Sequence, residues 1–180
     1  MFLGIRARLW FHILMLFDQE ISNPAKRQAV ELFNEAYAAQ MGQDYDAAIK
    51  LYKESIKIFP TAEAYTFLGW AYSFQGEYDR AIAECLAAIS IDESFGNPYN
   101  DIGSYLIAKG NFYDCVRWFK LAMQAARYEA RAYPHFNLAR VYEKRGKLLK
   151  AAKHYGLALE KQSNYLQAYK ALRKLQERLN

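Results

Sequence analysis

The sequence is poor in the residues that build most sites and most non-helical folds. Only two cysteines, Cys85 and Cys115, occur in 180 residues. That excludes a disulfide framework, and both are expected as small buried residues of a reducing compartment. Four prolines are too few to punctuate a loop-rich fold. No short run alternates apolar and polar residues between turn signals, so strands are not indicated. The longest apolar core, residues 9–17, has nine residues with His12 inside it, against the roughly 20 that cross a bilayer. The three histidines, His12, His135 and His154, lie far apart along the chain and lack metal-ligand spacing. There is no phosphate-cradling Gly-rich loop and no Ser/His/Asp arrangement. Cys115 is expected at a core position, which argues against a nucleophile. An enzyme, a metal centre and a resident cofactor are therefore not indicated.

What is present is helical and aromatic. Hydrophobic residues make up 53% and charged residues 24%, with 15 tyrosines and 11 phenylalanines. That composition is globular, and its Ala, Leu and Lys favour helix throughout. The net charge of +5 is unevenly spread. Residues 140–180 hold 11 Lys/Arg and 3 Asp/Glu, while the remaining residues hold 13 and 16. The basic character belongs to one end.

Glycines recur at Gly42, Gly76, Gly110 and Gly146, in steps of 34, 34 and 36. A ring or Leu follows each (Tyr45, Tyr78, Phe112, Leu148), and then a small residue (Ala48, Ala81, Cys115, Ala151). A period in the thirties marks stacked two-helix units. Gly suits the left-handed turn that ends a first helix. Asp79 and Asn111 stand where a second helix starts, and Asn23-Pro24 and Asn97-Pro98 pair an N-cap with Pro at the first helical position. Small residues recur where two helices would touch: Ala36, Gly69, Gly103 and Ala139 in first helices, and Ser55, Ala88, Ala122 and Ala158 late in second helices. Rings such as Tyr52, Tyr72, Phe119, Tyr142 and Tyr155 would fill the space beside them.

"YTFLGWAYSFQGEYDRAIAECLAAI" (65–89) resembles the tetratricopeptide repeat at Tyr65, Leu68, Gly69, Tyr72, Ala81 and Ala88. The resemblance implies an all-α, right-handed solenoid of stacked antiparallel helix pairs. Units are expected at 29–61, 62–95, 96–131 and 132–165, after an N-terminal segment and leading turn (1–28) and before a C-terminal cap helix (166–180). The first unit departs at Glu35 and Ala39, so its first helix is expected to sit irregularly, and Gly42 comes one residue early relative to Tyr45. Two extra residues in "ARYEARAYP" are expected to change the stacking angle between the third and fourth units.

The resemblance also implies that first helices line a concave groove. Rings would dominate its N-terminal half, at Phe33, Tyr37, Trp70 and Phe74, with Asn34 among them. Asn100, Asp101 and Asn137 would occupy the middle, and Val30, Gln40, Met41, Glu63, Thr66, Phe67, Ser73, Asn97, Ser104, Ile107, Ala108, Tyr133, Phe136 and Glu143 fall at further groove positions. Arg140, Lys144, Lys170 and Lys174 would make the far end basic. Rings beside amides suit an extended peptide. The expected function is a non-catalytic scaffold that binds another protein or peptide. Members that grip an acidic chaperone C-terminus place Lys, Asn and Arg where this chain has Phe33, Tyr37, Trp70, Asn100 and Ser104, so that clamp is not expected. One alternative is an RNA- or acidic-surface-binding repeat using the basic end, although the side-chain pairs that read bases are missing and nucleic acid is not the expected partner. Another is a self-associating or membrane-attached solenoid using residues 1–17. That segment, with Arg6 and Arg8 ahead of its apolar core, is open to three readings: a cap on the first unit, a membrane or export element, or sequence preceding a start at Met15. A cytoplasmic location is expected on the first, membrane association or export on the second.

Overall fold

The computed structural model describes residues 23–179, and among them every regular element is a helix. In chain order these are α1 (Pro24–Met41), α2 (Tyr45–Ile58), α3 (Ala62–Phe74), α4 (Tyr78–Ile91), α5 (Asn97–Ala108), α6 (Cys115–Gln124), α7 (Ala132–Lys144), α8 (Leu148–Lys161) and α9 (Leu166–Leu179). They pack as the antiparallel pairs α1/α2, α3/α4, α5/α6 and α7/α8, with α9 against α8. The first helices α1, α3, α5 and α7 also touch one another in series. This is the stacked all-α superhelix expected. The readings placed on residues 1–17 lie outside the described residues.

Local chemistry explains most helix ends. The Asn23 carboxamide accepts from the Ala25 N–H at 2.9 Å, with Pro24 at the first helical position. Helix α1 therefore begins inside the segment expected to be a leading turn, and it runs without interruption through Glu35 and Ala39. Asp44 and Thr61 cap α2 and α3 in the same way. Asn97 does not cap α5. The helix already includes it, and the residue before it, Gly96, has no side chain to cap with; the Gly96 N–H donates to the Arg127 carbonyl at 3.0 Å. Asp79 lies within the first turn of α4, where an acid suits the dipole. Asn111 accepts from the Asp114 N–H and holds the turn before α6.

Gly76, Gly110 and Gly146 have positive φ, as the turn between paired helices requires. In the first unit Gly42 has φ −75° and Gln43 takes the left-handed conformation at φ 66°. The early glycine misses the position, and a residue with a Cβ carries the strain.

The core is small against large. Ala36, Ala48, Ala81, Ala88, Ala122, Ala139, Ala151 and Ala158 are fully buried, as are Tyr52 and Phe119. A Cβ on Gly103 would lie 2.6 Å from the Phe119 ring, and one on Gly69 would lie 2.8 Å from the Ala81 carbonyl. The Ser55 hydroxyl donates to the Ala29 carbonyl at 2.7 Å, tying α2 to α1. The two extra residues lie in a connection that braces the stack. Phe95 and Arg127 form an isolated parallel bridge, and Arg127 contacts both Asp92 and Glu63. Tyr128 is buried there.

Two outcomes are expected. Ala81→Leu and Gly103→Ala should each destabilise the fold by about 1–3 kcal/mol through overpacking, as measured by urea denaturation. Unchanged midpoints would mean that these helices can separate. Gln43→Gly should stabilise by about 0.5–1 kcal/mol, the relief of the left-handed strain outweighing the added chain entropy. A loss of stability there would show that the Gln43 side chain contributes more than its backbone costs.

Candidate peptide-binding groove

The inner face formed by α1, α3, α5 and α7 encloses a cavity of about 630 Å³. One wall is aromatic. Trp70 and Phe74 lie one turn apart on α3, with ring centroids 5.5 Å apart, and Phe74 stacks on Tyr45 at 4.8 Å and 11°. Phe74 is 49% exposed, unusual for so large an apolar ring.

The opposite wall is polar. Asn100 and Asp101 on α5 are buried, and Asn137 on α7 reaches across to them. The Asn137 Nδ2 donates to Asn100 Oδ1 at 3.2 Å and to Ser104 Oγ at 3.3 Å. Asn100 Nδ2 approaches Asp101 Oδ1 at 3.4 Å, and the Ser104 hydroxyl donates back to the Asn100 carbonyl. These bonds leave carboxamide capacity unused, since Asn has two donors and two lone pairs. Gln40 sits at the α1 end, only 2% exposed, and neither Nε2 nor Oε1 finds a partner among the described residues. Burying an unbonded carboxamide costs stability.

Of the twelve residues singled out by sequence for the site, the cavity brings together six, Trp70, Phe74, Asn100, Asp101, Asn137 and Arg140, and it also takes in the further groove positions Gln40, Met41, Ser73, Ser104 and Tyr133. Six others lie elsewhere. Phe33 is a core residue, 8% exposed, packed on Tyr52 and Phe67 at 5.4 and 5.3 Å, because its position on α1 faces the next unit. Tyr37 is half-buried with its edge on Phe67, and Asn34 is exposed outside the cavity. Lys144 lines a neighbouring cavity of about 700 Å³ with Arg140, Glu143 and Arg178. There Glu143 accepts from Tyr155 Oη at 3.0 Å and from Arg178 at 2.6 Å. Lys170 and Lys174 line a separate recess on α9 with Leu166, Tyr169, Arg173 and Glu177, since their spacing along the helix points them away from α8. The basic end is therefore divided over three places. Tyr45, Gln43, Tyr105 and Tyr165 also line the groove without having been singled out. Tyr45 was visible only as the ring that follows each repeat glycine.

Cys115 is buried, and burial pushes its thiol up to about 11, which suits a packing residue. Among the described residues no group of three or more His, Cys, Asp or Glu could hold a metal. The histidines, however, are not all apart. His135 and His154 meet, with Nδ1 atoms 3.3 Å from each other. His12 lies outside the described residues.

Tetratricopeptide repeat models match residues 32–62 and 62–95. Residues 32–95 carry tetratricopeptide repeats. This repeat protein is 34% identical over 96 residues to small glutamine-rich tetratricopeptide repeat-containing protein 2 of Saccharomyces cerevisiae, an alignment covering 53% of this chain and 28% of that one. It thus spans little more than a quarter of the yeast relative. The structure from the functional characterisation of Pseudomonas aeruginosa PilF superposes with a TM-score of 0.81 at 16% identity, covering 87% of this chain and 71% of that one. The first TPR of Spaghetti (RPAP3), bound to the HSP90 peptide SRMEEVD, superposes with a TM-score of 0.60 at 24% identity, covering 66% and 93%. These likenesses show the solenoid fold. No helix among the described residues is long and apolar enough to cross a membrane.

Replacing the unbonded carboxamide is the test of the groove's polarity. Gln40→Met should raise stability by about 1–3 kcal/mol, since it removes a buried donor and acceptor at similar volume. A lowered urea midpoint would show that Gln40 is bonded and structural.

Proposed function

We propose that this repeat protein is a non-catalytic scaffold that holds an extended segment of another protein in its concave groove. The observation that carries this reading is the single cavity walled by Tyr45, Trp70 and Phe74 on one side and by Asn100, Ser104 and Asn137 on the other. Its volume is in the range of ligand sites. Rings take apolar side chains of the segment, and the carboxamides meet its N–H and C=O groups. Arg140, at the α7 edge of the cavity, receives an acidic side chain or a terminal carboxylate.

The ligand is not of the chaperone-carboxylate kind. The positions that would supply that grip hold Phe33, Tyr37, Trp70, Asn100 and Ser104, and Phe33 and Asn100 are buried. A second surface, the α9 recess with Lys170, Arg173 and Lys174 around Leu166 and Tyr169, suits an acidic protein surface rather than RNA, because its only ring is a single tyrosine and no base-reading pairs repeat. The proposed setting is the cytoplasm.

Peptides selected from a random display library against the intact protein provide the probe. Trp70→Ala should weaken their binding by about 2 kcal/mol or more, as loss of an aromatic anchor does, while Lys170→Glu with Lys174→Glu should leave it nearly unchanged. Calorimetry of both variants decides. Binding that survives Trp70→Ala and collapses in the α9 variant would move the site to the cap helix.

A further inference from the structure

We propose that His135 and His154 form a two-nitrogen site for a divalent transition metal, Cu²⁺ in preference to Zn²⁺, that staples α7 to α8. The two residues are nineteen apart in sequence and belong to the two helices of the fourth pair. Antiparallel packing faces their rings at 5.5 Å between centroids, with Nδ1 opposite Nδ1 at 3.3 Å. Two metal–imidazole bonds of about 2.0–2.1 Å put their nitrogens about 2.9 Å apart at the square angle Cu²⁺ prefers and about 3.3–3.4 Å apart at a tetrahedral angle. The 3.3 Å separation is therefore within about half an ångström of that of two ligands on one ion.

The protonation state favours this use. Burial lowers the pKa of both rings, His135 below its usual value and His154 to about 4, with the neighbouring His135 adding to the second shift. Both rings are thus neutral at pH 7, as metal ligation requires. Without an ion, one Nδ1–H donates to the other Nδ1. With an ion, each ring keeps its single proton on Nε2 and presents Nδ1, so no net proton is released. Tyr142 packs on His154 at 5.4 Å and holds its plane.

The surrounding charges set the strength. Lys120 from α6 and Lys153 and Lys161 from α8 oppose a dication, and Glu160 offsets one of them. No third His, Cys, Asp or Glu among the described residues joins the pair. Two coordination positions stay open to water, which makes the ion exchangeable and ranks Cu²⁺ above Zn²⁺ by the usual stability order. Both histidines are only half-buried, so an ion can enter from solvent.

The test uses the full chain with copper sulfate or zinc chloride alone. One equivalent of Cu²⁺ should bind and raise the melting temperature, with a smaller rise for Zn²⁺. Substoichiometric Cu²⁺ should show electron paramagnetic resonance splitting from two nitrogens. His135→Ala and His154→Ala should each weaken binding at least tenfold, whereas His12→Ala should not. Acidification towards about pH 4, where His154 takes a proton, should release the ion as protons compete for Nδ1. No ion-dependent rise in melting temperature, or a response that persists in the double variant, would overturn the site. Should the alanine variants lose helical signal, the spectrum of the unaltered protein decides, and fewer than two coordinated nitrogens would sink the proposal.

Discussion

Everything in this molecule depends on how closely its helices approach. A pair can come together only where one side has almost no side chain, and the fully buried alanines on α2, α4, α7 and α8 mark those places. Gly103 shows how tight the fit is, because its missing Cβ is the space that Phe119 occupies. Large rings then fill what the small residues leave, and neither half of the arrangement works alone. Stability accumulates pair by pair, since each pair buries its apolar faces against the next.

The groove is a consequence of that stacking. First helices touch in series, so residues on their inner faces meet across four different pairs. Asn100 on α5 and Asn137 on α7 bond to each other only because the stack places them at one level. Gln40 is held buried without a partner among the described residues by packing that the rest of α1 provides. A face that serves stability alone would place apolar side chains here. Buried carboxamides beside a half-exposed Phe74 are what the proposed binding of an extended segment rests on.

The fourth pair differs from the others in what its helices share. Its first and second helices bring two imidazoles together beside Tyr142, and its inner edge holds Glu143 between Tyr155 and Arg178. The connection leading into it is also the longest, and it is used: Arg127 crosses to Asp92 and Glu63, and Tyr128 fills the space against Gly96. The extra residues serve as a brace between neighbouring pairs.

Helix content, pairing and the small-residue rows were legible in the sequence, because they arise from spacings within a few turns of chain. The left-handed turns at Gly76, Gly110 and Gly146 belong to the same class. So does the exception at Gln43, foreshadowed by a glycine one residue early. The site was only partly legible. Trp70, Phe74, Asn100 and Asn137 lie on inner faces that helical periodicity can locate. Phe33 is core because a neighbouring unit covers it, and Lys170 and Lys174 leave the groove because α9 turns their side away. The meeting of His135 and His154 has no local signature at all. Periodicity reports which side of a helix a residue is on, whereas a distance between two helices depends on how all the pairs stack, and only the tertiary structure supplies that.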